Sequence, residues 1–118
     1  MTSVAHRPTR AEVSELIVLL VQATGAREVQ GLAAQLGAGG DARAVRPLLR
    51  RLGDPHVQAS ADAERAVCEA LVALDVMCGP RDGGFHFVPR RRLSDDVVAT
   101  IRELGSALPW RYFDTKHV

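Results

Sequence analysis

The arginines are the residues of this sequence whose type and spacing most directly suggest chemistry. They supply fourteen of its fifteen basic side chains, and Lys116 supplies the other. Eight of them lie on the third predicted helix or around a predicted hairpin: Arg43, Arg46, Arg50, Arg51, Arg81, Arg90, Arg91 and Arg92. Because a guanidinium can donate two parallel hydrogen bonds to a phosphate, this set predicts contacts with the DNA backbone on both sides of a major groove. The alternative is a solvated arginine face.

The overall charge limits how such binding could work. Fourteen acidic residues leave a formal net charge of +1, so DNA contact would depend on local patches. The helix just before the hairpin carries Asp62, Glu64 and Glu69 against Arg65. Since phosphate repels an acidic helix, a DNA-binding protein with this sequence would have to read the groove with its third helix.

Other chemical groups are sparse. Cys68, Cys78 and His86 fall near the base of the predicted hairpin, but their spacing matches no metal motif, and a free cysteine is more often a small buried residue. Phosphate-binding, dinucleotide and hydrolase motifs are absent from the sequence. The sequence therefore predicts no catalytic, metal or cofactor site and does not favour an enzyme. Two cysteines and no apolar run of membrane-spanning length predict a cytoplasmic protein without a disulfide framework.

Four helices are predicted in the first two thirds of the chain. Thr9 and Glu12 form a capping box at the start of the first, which the apolar spacing extends to about residue 24. The second spans about 27–36, and the glycine-rich segment 37–40 ends it. Asp41 can cap the third helix. Because of Pro47, this helix is either kinked or begins later than Asp41 would indicate. The fourth spans about 61–74 after the capping residue Ser60.

A hairpin and a last helix follow. Asp82 and Gly83 predict a two-residue turn that places Cys78 opposite Phe87 and turns Phe85 and Phe87 toward the core. Ser94 begins the last helix, and Gly105 ends it. We therefore expect a flexible N-terminus at 1–8, a domain at 9–105 and an aromatic tail at 106–118.

Apolar residues at both ends of this domain exceed what one small core needs. They predict a homodimer through the first and last helices, with aromatic anchors in the tail. The expected interface residues are Leu16, Ile17, Leu20, Ile101, Leu104, Trp110, Tyr112 and Phe113. The alternative for the tail is that it folds back over the gap between those two helices.

Two segments resemble known families. The run from Val29 to Gly37 resembles the opening helix of a bacterial helix-turn-helix, and the passage from Ala70 to Pro89 resembles the helix and hairpin of a winged helix. This passage is common to transcriptional regulators and to the N-terminal dimerisation module of small-molecule O-methyltransferases. Asp75 departs from the pattern, because such sequences usually have glycine there.

The resemblance implies a mainly α, winged helix-turn-helix fold with about five helices and one two-stranded β-hairpin. It also implies two functions: a DNA-binding transcriptional regulator, which is the first expectation, or a non-catalytic dimerisation or protein-interaction module. The partners would be double-stranded DNA, a second copy of the chain or a separate protein, with no membrane. A small-molecule carrier with a pocket between the helices remains a third reading.

Overall fold

The structure is a computed structural model that describes residues 8–81, 84–87 and 92–113. Its elements in chain order are α1 (Arg10–Gln22), α2 (Ala26–Gly39), α3 (Val45–Leu52), α4 (Pro55–Gln58), α5 (Ala61–Ala73), β1 (Cys78–Arg81), β2 (Gly84–His86) and α6 (Asp95–Leu104), with 3-10 turns at Ala42–Ala44, Gly105–Ala107 and Trp110–Tyr112. The predicted fold class, mainly helical with one two-stranded antiparallel hairpin, is confirmed.

Helix α1 begins where the sequence predicts it. The Thr9 hydroxyl accepts from the Glu12 backbone N–H, and the Glu12 carboxylate accepts from the Thr9 N–H at 2.8 Å. Two backbone donors that no helical carbonyl can reach are thereby satisfied. Only Val13 and Leu20 of this helix are fully buried, so α1 lies at the periphery of the fold.

Helix α2 is longer than predicted, because the glycines that were expected to end it at residue 36 are helical as far as Gly39. A Cβ on Gly37 would stand 2.9 Å from the Ala70 Cα, so this glycine lets α2 lie directly against α5. Gly40, with a left-handed φ of 65°, ends the helix. The glycine run therefore serves close packing first and helix termination second.

Helix α3 begins late, as Pro47 allowed. Asp41 caps the 3-10 turn before it, and Pro47 falls in the first turn of α3, where its missing N–H has no helical partner to lose. Val45, Leu48, Leu49 and Leu52 are all buried. The segment between α3 and Ser60 contains a further short helix, α4, which Asp54 caps and in which Pro55 is the first residue.

The core lies between α2, α3 and α5. Its largest fully buried side chains are mostly leucines: Leu20, Leu36, Leu48, Leu49, Leu52 and Leu71, with Met77 beside them. After α5, Asp75 adopts a φ of 66°, the left-handed position that explains why the resembling sequences have glycine there. Aspartate is one of the few other residues that tolerate this conformation.

The hairpin register differs from the predicted one. Arg81 pairs with Gly84, which agrees with a two-residue turn, but Cys78 pairs with His86 and not with Phe87. Strand β1 therefore holds one extra residue, a bulge at Gly79, whose φ is 138° and where any Cβ would meet the Gly84 carbonyl oxygen at 2.9 Å. Phe85 and Phe87 pack against the core, and His86 between them is only 2% exposed. The turn residues themselves lie outside the described residues.

Helix α6 and the residues after it close the other side of α3. Ser94 caps α6 and Gly105 ends it, as predicted. Leu108 and Tyr112 are buried, so the described part of the predicted tail, residues 106–113, packs into the domain. Tyr112 contacts α5 and β2 and does not fill the predicted gap between the first and last helices.

Candidate interaction surface

The arginines of the third predicted helix bind groups of the protein itself. Arg43 donates to both carboxylate oxygens of Asp41, to the Ser14 hydroxyl and to the Arg10 carbonyl. The hydrogen bonds from Arg43 lower the pKa of Asp41 below its ordinary value. The Arg46 Nε donates to the buried Thr100 hydroxyl at 3.0 Å. These two side chains therefore join α3 and its preceding turn to α1 and α6.

Arg50 and Arg51 differ sharply although they are adjacent. Arg50 is 45% exposed and pairs with Glu103 at 2.7 Å, which lowers the pKa of Glu103. Arg51 is 17% exposed and pairs with Asp54 at 2.8 Å. Its guanidinium also donates to the carbonyls of Leu20, Val21 and Ala23, the last acceptors of α1. Arg51 therefore caps the C-terminus of α1 from a neighbouring helix.

The other arginines predicted to bind DNA belong to the hairpin region. The backbone of Arg81 lies in β1, and Arg92 is exposed. Arg90 and Arg91 lie outside the described residues. On α5, the helix before the hairpin, Asp62, Arg65 and Glu69 are exposed, and the side chain of Glu64 is 14% exposed. The outer face of this helix thus carries no excess of positive charge.

The predicted aliphatic interface residues are mainly parts of the core or its edge. Leu20 is fully buried, and Leu16, Ile17, Ile101 and Leu104 are half-buried and pack against the core. The exposed aliphatic residues lie on α1 beside the predicted ones: Val18 at 53%, Leu19 at 51% and Val21 at 63%. A sequence signal was available, because residues 16–21 are six consecutive apolar residues, and a peripheral helix can turn only one side toward a core.

Of the aromatic residues after α6, Tyr112 is buried, whereas Trp110 and Phe113 are exposed. The Tyr112 hydroxyl donates to Glu64 Oε2 at 2.6 Å, and Arg111 donates to the same oxygen at 2.6 Å. Burial, followed by the contact with Glu64, raises the pKa of Tyr112 above its ordinary value. Trp110 is 86% exposed and Phe113 is 43% exposed. Tyr112 therefore holds the segment in place and Trp110 points to solvent.

A groove runs between α1 and α2 and includes the exposed Leu19 in its lining. Its volume is about 480 Å³, and its lining consists of Pro8, Glu12, Glu15, Leu16, Leu19, Ala34, Gln35 and Ala38. A second groove of about 290 Å³ between α2 and α5 shares Ala34 and Ala38 with it and is lined otherwise by Gly37, Ala66, Glu69, Ala70 and Ala73. The two grooves form one surface across three helices.

Cys68, one of the groups near the hairpin base, is buried. Burial raises the pKa of the Cys68 thiol to about 12, so it is protonated at neutral pH and a poor nucleophile. Within the described ranges, no three His, Cys, Asp or Glu side chains are grouped as a metal site requires. No helix in the described part of the chain has both the length and the apolar character needed to span a bilayer.

Comparison with known proteins identifies no relative. No family model matches the chain, and searches of curated proteins and of solved structures find no significant match.

Proposed function

We propose that this chain is a protein-interaction module of winged-helix type that associates through the outer face of α1. The order of its elements supports this class: α3, α4 and α5 are followed by a β-hairpin and then by a further helix. It is the same order as in the dimerisation module that the sequence resembles. We expect it to act in the cytoplasm and without a catalytic site of its own.

The observation that carries this proposal is the exposure of Val18, Leu19 and Val21 on one short helix. Burying one such side chain completely is worth about 1.5–3 kcal/mol relative to leaving it in water. Val18 and Val21 share one side of α1, and exposed aliphatic side chains grouped in this way are typical of surfaces that another protein covers. The four arginines of the third predicted helix, by contrast, already donate to acceptors within the chain.

The first partner to test is a second copy of the chain. Val18 and Val21 lie three residues apart on α1 and hence on one side of it, so two copies related by a two-fold axis could bury this side against itself. Sedimentation equilibrium at micromolar concentration should give twice the chain mass. Replacing both residues with Gln should give the monomer mass, while the control Ala99→Gln, at an exposed position of α6, should leave the dimer intact.

A monomer for the parent chain at all concentrations would remove self-association from the proposal. The proposal would then require a separate partner protein that binds the same face of α1. If the parent and the Val18→Gln, Val21→Gln variant both sediment with the dimer mass, the interface lies elsewhere. Trp110→Ala locates that alternative, because an exposed aromatic anchor should cost about 2 kcal/mol of association or more when it is removed.

A DNA-binding transcriptional regulator is the second candidate. The exposure of Arg50 and Arg92 favours it, since neither guanidinium lies in the core. The test is affinity for a random-sequence duplex at two salt concentrations, with Arg46 and Arg50 together replaced by Ala. The change should reduce the salt dependence by about two phosphate contacts. A thermal melt must accompany it because Arg46 binds Thr100, and no duplex binding by the parent at low salt overturns this candidate.

A further inference from the structure

The groove between α1 and α2 has a lining with a marked chemical bias. Leu16 and Leu19 form one wall, and Ala34 and Ala38 on α2 form a floor of small side chains. Pro8 closes one end, where its ring packs over Gly39. The Pro8 Cγ lies 3.3 Å from the position that a Cβ on Gly39 would occupy. About half of the Leu19 side chain is open to solvent. The groove is therefore an apolar surface that nothing else in the described part of the chain covers.

The two charged residues in the described lining of this groove, Glu12 and Glu15, are both acidic. Glu12 and Glu15 line it, Glu69 lines the adjoining groove, and the described lining residues of both include no arginine or lysine. Arg65 reaches this region only from α5, where it contacts Glu69 at 3.4 Å with both side chains more than half exposed. Because the charged groups of this described lining are carboxylates, the groove favours a partner with basic side chains.

The shape of the groove favours a helix as its occupant. Ala34 and Ala38, four residues apart on α2, leave a shallow channel in which another helix can pack at short distance. From Glu12 to Leu19 the groove follows α1 over roughly 10 Å, about two helical turns. Docked amphipathic helices bind such channels with apolar residues at i, i+3 or i+4 and i+7. A volume of about 480 Å³ can take several such side chains.

We propose that the α1–α2 groove binds an amphipathic helix of another protein whose apolar stripe is flanked by lysine or arginine. The apolar stripe fills the channel over Ala34 and Ala38, and the flanking cations lie beside Glu12 and Glu15. A second copy of α1 fits less well, because its acidic residues would join those already at the rim. This proposal deepens the interaction function and depends on it for the class of partner, but it uses the opposite side of α1 from Val18 and Val21.

The test uses two labelled peptides of about 18 residues, long enough for a helix of roughly 27 Å. Both have the same leucine stripe, with lysine at the flanking positions of one and glutamate at those positions of the other. Fluorescence anisotropy with the full chain should show at least tenfold tighter binding of the basic peptide at low salt, and the difference should shrink as salt screens the exposed charges.

Three variants locate the binding. Ala34→Leu fills the channel from an exposed position and should abolish binding, while Ala99→Leu, on an exposed position of α6, should not change it. Glu15→Lys should weaken binding of the basic peptide and strengthen that of the acidic one. Thermal melts confirm that each variant folds.

Several outcomes overturn the proposal. They are failure of both peptides to bind at about 100 μM, equal affinity for the two peptides at low salt, or unchanged binding in the Ala34→Leu variant. If Ala34→Leu instead converts a dimer to a monomer, the groove is a self-association surface and the proposal is wrong. The interaction function fails separately, since its variants at Val18 and Val21 leave the groove intact.

Discussion

At the scale of single residues, Arg51 shows how a charge acquires its role from its neighbours. Arg50 and Arg51 are indistinguishable in the sequence, and both were predicted to contact phosphate. Helical spacing places them about 100° apart around α3, so one faces Glu103 and solvent while the other reaches the C-terminal carbonyls of α1. Those carbonyls have no helical partner, which makes the second position structural.

Replacing Arg51 with Met should therefore destabilise the protein far more than replacing Arg50 with Met. Three carbonyls and Asp54 lose their donor in the first variant, and hydrogen bonds of charged groups contribute about 1.5–3 kcal/mol each, not additively. We expect a loss of about 2–4 kcal/mol for Arg51→Met and under about 1 kcal/mol for the exposed Arg50 pair. Urea unfolding of both variants measures this, and equal midpoints would contradict it.

Cys68 gives a prediction about pH. Its pKa rises from 9.0 to about 12 on folding, because burial disfavours the thiolate. The unfolded chain loses this proton at a lower pH than the folded one, so the stability that the protonated thiol provides is complete below pH 9.0 and is lost as pH rises toward 12. Tyr112, whose pKa is also raised, acts in the same direction. In Cys68→Ala the fall of unfolding free energy above pH 9.0 should be shallower; an unchanged slope would refute this assignment.

At the scale of elements, the packing of α2 against α5 depends on Gly37. A Cβ there would meet the Ala70 backbone at 2.9 Å, whereas a Cβ on Gly31 of the same helix would meet nothing within 4 Å. The sequence presents both simply as helical glycines. Only the neighbouring helix distinguishes them.

These two glycines form a matched pair of alanine substitutions. Gly37→Ala should force the two helices apart and destabilise the protein by about 1–3 kcal/mol, as overpacking does. Gly31→Ala should stabilise it by about 0.5–1 kcal/mol, because alanine is the better helix former and the site is open. Thermal melts of the two variants should shift in opposite directions. A destabilised Gly31→Ala would argue against the helix extending through this region as described.

At the scale of the whole molecule, the segment after α6 is part of the domain. Leu108 and Tyr112 are buried, the Phe87 N–H donates to the Tyr112 carbonyl at 2.8 Å, and Gln58 donates to the Ala107 carbonyl at 2.8 Å. These contacts join the C-terminal segment to α4, α5 and the hairpin. Residues 106–113 therefore pack against the domain that was predicted at 9–105.

A chain shortened to end at Gly105 tests this directly. It loses two buried side chains and the bond between Tyr112 and Glu64, so we expect a loss of at least about 3 kcal/mol in unfolding free energy. Trp110→Ala in the full chain is the control and should change stability by under about 0.5 kcal/mol, because its side chain is 86% exposed. A shortened chain that melts with the parent would mean that this segment contributes nothing to the fold.

The sequence by itself determined the local features of this protein. The capping box at Thr9, the caps at Ser60 and Ser94 and the existence of a hairpin all depend on residues a few positions apart. Such interactions are encoded in spacing alone, which is why the fold class and most helix starts could be predicted. The buried face of α3 was predictable for the same reason.

Only the tertiary structure decided the features that depend on distant neighbours. The helical Gly37 and the cap that Arg51 provides to α1 each depend on a group far away in the sequence. The same holds for the surface: residues 16–21 are apolar throughout, and which of them face solvent depends on where α2 and α3 lie. Exposure is a property of the packed assembly of helices, so periodicity identified the helix but not the side of it that is left uncovered.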